Sequence, residues 1–144
     1  MEERYDPAVV ERVLEGDGPI NQLHIEIDSR CFKLLALHQP MAVDLRAIVS
    51  AVKINTDLER VGDLAVNIAE AAKRYLLHAP VKPLIDIPRM GDIAQRMLRD
   101  ALDAFVRRDV ALAESVLAAD DALDALKSQI FRELLTYMMQ DTAK

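Results

Sequence analysis

Oxygen-bearing side chains are the chemistry this sequence offers. They are densest in Asn55-Thr56-Asp57-Leu58-Glu59-Arg60-Val61-Gly62-Asp63, continuing to Asn67 and Glu70. On a helix, Glu59 and Asp63 project from one face a turn apart, with Asn67 a further turn on. Two like charges at this spacing destabilise a bare helix by roughly a few tenths of a kcal/mol, so a nearby cation or full solvation must offset the repulsion. A hard or borderline metal ion takes oxygen ligands of this kind. The plainer alternative is a solvated acidic face, or carboxylates paired with Arg60 or Lys53. Gly62 costs about 1 kcal/mol relative to Ala in a helix interior, which points to the close approach of another backbone or a ligand, or to simple tolerance.

Two further pairs have the same spacing: Asp17 with Asn21, and Asp120 with Asp124. Each presents two oxygens at i and i+4. Asp17 also suits a helix start, and capping or solvation is the stronger single reading because Gly18 and Pro19 follow it. Asp120 and Asp124 fall inside a helical pattern beside Asp121, where an acidic surface is an equal alternative. Asp57 and Asn67 are secondary candidates. So is His24, which lies two turns after Asp17 on the same face. His24, His38 and His78 have no mutual ligand spacing and read as structural residues. The sequence contains no Gly-rich phosphate loop, nucleophile elbow or Cys-x-x-Cys, and no Glu-x-x-His of the kind di-metal bundle enzymes use. No catalytic residue is expected, and the chain reads as a non-enzyme.

These residues need elements to carry them. The chain has 144 residues, 51% apolar and 29% charged, with 4 Gly and no Trp. That is a globular, helix-forming composition for a length that can bury a core. A net charge of −6 argues against binding a nucleic-acid backbone, and three Tyr and three Phe provide no base-stacking platform. The single Cys31 lies among Phe32, Leu34 and Leu35 and reads as a buried small hydrophobe in a reducing, cytoplasmic setting. The start, Met1-Glu2-Glu3-Arg4, lacks the apolar stretch of a signal peptide. No apolar run approaches the ~18 residues of a membrane span.

Helical periodicity predicts a short helix over Ala8–Leu14, broken by Gly16 and Gly18-Pro19. A long helix then follows over Ile20–Leu37 with Ile20, Leu23, Ile27, Cys31, Leu34 and Leu35 inward. His38-Gln39-Pro40 closes it, since Pro40 excludes helical angles at Gln39. A second long helix spans Ala42–Leu77, with Leu45, Ile48, Val49, Val52, Leu58, Val61, Ala65, Ile68 and Ala72 inward, and Ala79-Pro80 and Pro83 end it. After a Pro-punctuated linker over 81–89, a third helix covers Met90–Arg107, with Ile93, Met97, Leu98, Ala101, Leu102 and Phe105 inward. A turn at Arg107-Arg108-Asp109 leads to a fourth over Val110–Met139, with Leu112, Val116, Leu117, Leu123, Leu126, Ile130, Leu134, Leu135 and Met138 inward. Long helices with short connections imply an all-α antiparallel bundle.

An internal repeat relates Glu11–Pro40 to Glu114–Ala143: Glu11 matches Glu114, Val13-Leu14 match Val116-Leu117, Asp17 matches Asp120, Asn21 stands opposite Asp124, Leu23 matches Leu126 and Ile27 matches Ile130. In the first copy the long helix Ala42–Leu77 follows, and in the second the chain stops at Lys144. The counterpart of Met90–Arg107 is almost absent before Glu11. The expected unit is three helices, with residues 1–80 as a first repeat lacking most of its first helix and 90–144 as a second lacking its last.

Gln39-Pro40-Met41-Ala42-Val43-Asp44-Leu45-Arg46, then Asp57-Leu58-Glu59-Arg60-Val61-Gly62-Asp63-Leu64-Ala65-Val66-Asn67-Ile68-Ala69-Glu70, resemble the signature of the PhoU family, roughly QPxAxDLR and DLERxGDxAxNIAE. Every fixed position is met, and the likeness extends from Val9 to Met139. The resemblance implies two pseudo-symmetric three-helix bundles, here truncated at both ends. It implies a cytoplasmic regulator acting with the phosphate ABC transporter, through its ATPase, and with a sensor histidine kinase. Such a regulator restrains phosphate uptake and the phosphate-starvation response. It also implies divalent or ferric metal (iron, zinc, manganese or magnesium) held by paired acidic motifs on neighbouring helices. By position, Glu59 and Asp63 match the motif of the third helix, Asp17 and Asn21 its first-unit partner, and Asp120 and Asp124 the second-unit one. Asn21 departs from the pattern by replacing a carboxylate, and a second DLERxGD-like helix is missing. Apolar faces of a shortened bundle should not stay in water, so the chain is expected to pair as a homodimer, by packing or exchanging helices. A plain helical interaction scaffold with acidic faces and no metal is the alternative.

Overall fold

The computed structural model describes residues 7–75 and 86–140. They form α1 (Pro7–His38), α2 (Ala42–Tyr75), α3 (Asp86–Arg107) and α4 (Val110–Gln140), with no strand among the described residues. The all-α class expected from composition is observed. The chain divides into two compact units, Met1–His78 and Ala79–Lys144. In the first, α2 packs on α1; in the second, α4 packs on α3.

The α1–α2 hairpin is antiparallel, as its cross-helix contacts show. Glu11 meets Lys73 at 3.3 Å, Ile20 lies over Gly62, and His24 meets Asn55, so positions rise along α1 as they fall along α2. The connection is Gln39-Pro40-Met41. Gln39 adopts φ 44° and its N–H donates to the Leu35 carbonyl at 3.2 Å. This is the left-handed helix ending, and Pro40 excludes the right-handed helical region at Gln39.

Two boundaries differ from expectation. The predicted break at residues 16–19 is absent, because α1 runs unbroken from Pro7 to His38 with Pro19 inside it. Proline removes one N–H and crowds the carbonyl a turn earlier, but its φ is helical. Here α2 meets α1 on both sides of the proline, through the Glu11–Lys73 ion pair before it and Ile20 and His24 after it. Tertiary contact outweighs local preference. The predicted linker is also shorter than expected at its end, since α3 begins at Asp86. Pro88 then falls in the first turn, where a missing N–H costs no intrahelical bond. The end of the second helix beyond Tyr75, and the prolines at 80 and 83, lie outside the described residues.

The α3–α4 turn is where expected. Asp109 N–H reaches the Ala104 carbonyl at 2.9 Å and Arg108 N–H the Phe105 carbonyl at 3.3 Å, with Arg108 at φ 56°. That pair of bonds is a Schellman ending. Asp109 then starts α4, its Oδ1 accepting the Leu112 N–H at 3.0 Å, as an N-cap does.

Burial departs from the predicted inward faces. In the first unit the seam consists of Val10, Cys31, Asn55, Gly62 and Ala69, small or polar residues. Leu23, Ile27, Leu34, Val61 and Ile68, expected inside, are exposed. In the second unit Ala104, Leu126 and Ile130 are buried, while Leu98, Phe105, Leu117, Leu135 and Met138 are exposed. Within each hairpin a helix covers one stripe of its partner, and the apolar side chains off that stripe are exposed. Among the described residues, no helix is long and apolar enough to cross a membrane.

Candidate functional site

The seam between α1 and α2 carries the polar groups that the sequence singled out. Asp17 lies near the middle of α1, so it does not start a helix, contrary to the capping expectation. Its Oδ2 accepts a hydrogen bond from Asn21 Nδ2 at 2.8 Å, the contact that the i, i+4 spacing provides. Its Oδ1 is buried and has no hydrogen-bond partner. Buried carboxylate oxygens are seldom left so, because desolvation is costly.

Opposite Asp17 stands Gly62, buried on α2. A Cβ there would lie 3.3 Å from Ile20 Cγ2 and 3.9 Å from Asp17 Oδ1. The glycine is thus a close-approach position, with Asp17 beside it. Glu59, half-buried, precedes Gly62 by less than a turn, and Asp63, exposed, follows it directly. The structure therefore sets the Asp17–Asn21 pair on α1 against the segment of α2 bearing Glu59 and Asp63. Among the described residues, no three His, Cys, Asp or Glu side chains are gathered closely enough to hold an ion as they stand. In type, a carboxylate oxygen lacking a partner, an amide and two flanking carboxylates fit a hard or borderline cation.

The other sequence candidates lie apart from this group. Asp57 is exposed and pairs with Arg60 at 3.6 Å, and Asn67 is exposed. Asp120 and Asp124 are exposed in the second unit, Asp124 beside Lys127 at 3.8 Å. His24, half-buried, meets the Asn55 carbonyl through Nδ1 at 3.3 Å. A carbonyl only accepts, so this bond requires the Nδ1–H tautomer.

Sequence reasoning missed the partners on the other side of that contact. Asn55 is 4% exposed, less than any apolar side chain of the described residues. Its Nδ2 donates to the His24 carbonyl at 2.9 Å and to Asp28 Oδ1 at 3.2 Å. The available signal was an amide two turns before Gly62, on the same helical face.

Fold and seam define a class first: an all-helical protein of two-helix units whose polar chemistry is oxygen donors facing across one helix pair. Comparison with known proteins gives the family. A sequence model of the PhoU domain matches residues 2–72 and 87–144, and the chain belongs to the PhoU family. It is 42% identical over 138 residues to the phosphate-specific transport system accessory protein PhoU homolog of Aquifex aeolicus, covering 96% of this chain and 62% of that protein. It is 44% identical over 139 residues to the protein of the same description from Caulobacter vibrioides, covering 96% and 60%. With the phosphate-specific transport system accessory protein PhoU of Serratia marcescens it shares 35% identity over 137 residues, covering 95% and 56%. The chain thus spans about three-fifths of the length of the first two of these relatives.

Proposed function

We propose that this chain is a non-enzymatic, cytoplasmic regulator of phosphate uptake that works by protein contacts and holds a metal ion between α1 and α2. The family and the names of its relatives, accessory proteins of a phosphate-specific transport system, support the first half. The partners in this reading are the transporter ATPase and the sensor histidine kinase, and the action is negative: restraint of uptake and of the starvation response when phosphate is plentiful.

The observation that carries the second half is Asp17 Oδ1, buried without a partner beside Gly62. Asp17, Asn21, Glu59 and Asp63 would hold the ion, after side-chain rotation of Glu59 and Asp63. Iron, zinc, manganese or magnesium all accept such oxygens. A bound cation would cancel the repulsion among three carboxylates and tie α1 to α2. Asp120 and Asp124, the repeat counterparts of Asp17 and Asn21, form the second half-motif.

The test is elemental analysis of protein purified without chelator, beside Asp63→Ala. Stoichiometric metal that is lost in the variant supports the site. Metal absent from both samples would remove it, leaving the acidic face to protein contacts.

A second reading, a scaffold without metal, is favoured by the exposed apolar side chains along both hairpins, among them Ile68, Leu117 and Phe131. Both readings expect those faces to be covered by a second copy. Light scattering at micromolar concentration should give the mass of a dimer, and a monomer would contradict the pairing.

A further inference from the structure

Asn55 is the most completely enclosed polar side chain among the described residues, and the candidate ion site does not use it. A buried amide must be hydrogen-bonded, yet an apolar residue of similar volume at such a position is often at least as stabilising. Buried polar groups in helix seams more often select one arrangement than add stability. The residues around this one make such selection necessary. Gly62, Ala69 and Cys31 present small, nearly featureless surfaces, and apolar contact is non-directional, so they leave the roll of α1 about its own axis weakly specified. The Gln39-Pro40-Met41 connection limits sliding of the helices, but it does not fix rotation several turns away.

The bonds of Asn55 are directional, and they reach two successive turns of α1. Nδ2 donates to the His24 carbonyl and to Asp28 Oδ1, while the Asn55 backbone carbonyl receives His24 Nδ1. Three contacts between one residue of α2 and one face of α1 define the roll. His24 follows Asp17 by the same seven-residue interval at which Asn55 precedes Gly62, about two turns and ~10 Å along each helix. The clasp and the Asp17–Gly62 approach therefore lie on one seam, joined by two short lengths of rigid helix.

We propose that Asn55 is a positioning residue: its clasp on His24 and Asp28 sets the roll of α1 that holds Asp17 over Gly62. The functional meaning rests on the ion site proposed above. The structural half is read without metal.

The experiment uses the full chain and the variant Asn55→Leu, which keeps the branched outline of the side chain and removes the amide. Helix content is followed by circular dichroism, and the nuclear Overhauser effect between the Ile20 γ2-methyl and Gly62 Hα is measured. That pair reports the approach directly, since Ile20 Cγ2 lies against Gly62. The expected result is unchanged helicity with the Overhauser effect reduced to less than half. Zinc affinity by titration calorimetry should also fall roughly tenfold, as loss of a supporting contact typically does. Asp28→Asn, which keeps an acceptor oxygen for Asn55, should retain both. An undiminished Overhauser effect in Asn55→Leu overturns the proposal. If that variant loses its helicity, the same effect is read in Asp28→Ala, where reduction supports the clasp and no change overturns it. Failure of the wild type to take up zinc or any other metal refutes the ion site alone, because the Overhauser arm still decides what Asn55 does.

Discussion

Gly62 and Gly16 both sit inside helices, but their surroundings differ. A Cβ at Gly62 meets Ile20 at 3.3 Å, whereas nothing lies within 4 Å of one at Gly16. Gly16→Ala should therefore stabilise the chain by about 0.5–1 kcal/mol, the helix-propensity gain with no steric penalty. Gly62→Val should destabilise it by about 1–3 kcal/mol, the usual cost of overpacking. Urea unfolding followed by circular dichroism checks both, and equal effects would contradict the close approach. At this scale the sequence was informative about donors facing along one helix: the Glu59/Asp63 and Asp17/Asn21 spacings and the suspicion attached to Gly62 follow from helical geometry. It could not show that Asp28 reaches Asn55, because that contact depends on which residues of α1 lie opposite α2, and periodicity within one helix does not contain that relation.

Helix ends and helix continuity were legible to different degrees. The turns after α1 and α3 were readable because Pro40 and the Arg107-Arg108-Asp109 sequence act locally. The passage of α1 through Pro19 was not, since contacts with α2 from Glu11 to His24 outweigh the lost bond and the decision is made outside the segment. The α3–α4 turn yields a prediction of its own. Asp109 Oδ1 caps α4 by accepting the Leu112 N–H, so Asp109→Ala should cost about 1 kcal/mol. Arg108, at φ 56°, should accept glycine with a gain of up to about 1 kcal/mol, since an L side chain is disfavoured there. Thermal melts of the two variants should shift in opposite directions.

The two copies of the repeat are covered on different sides. Leu126 and Ile130 of α4 are 9% and 8% exposed, yet their counterparts Leu23 and Ile27 of α1 are 56% and 38% exposed. The reason lies in chain order: α4 packs on the helix before it and α1 on the helix after it. Leu126→Ala should thus cost about 2–3 kcal/mol, and Leu23→Ala under about 0.5 kcal/mol in the isolated hairpin. If the exposed stripe of α1 is where a second copy binds, Leu23→Asp should shift the dimer towards monomer with helicity kept, as light scattering would show. The repeat told which residues correspond. It could not tell which stripe each copy buries, because that depends on the neighbour each helix happens to have.

The thin interior of the first hairpin, built largely on small residues and one amide, also governs how the molecule responds to denaturant. The slope of stability against urea follows the surface newly exposed on unfolding, and a seam of Gly62, Ala69, Cys31 and Asn55 has little apolar surface to release. A free monomer should unfold with a shallow slope, near about 1 kcal/mol per molar urea, the low end for small proteins. A copy bound along the open stripes would release its interface as well, and the unfolding midpoint would then climb with protein concentration. The urea curve at two concentrations thus reads out how much of the outer apolar surface is covered in solution.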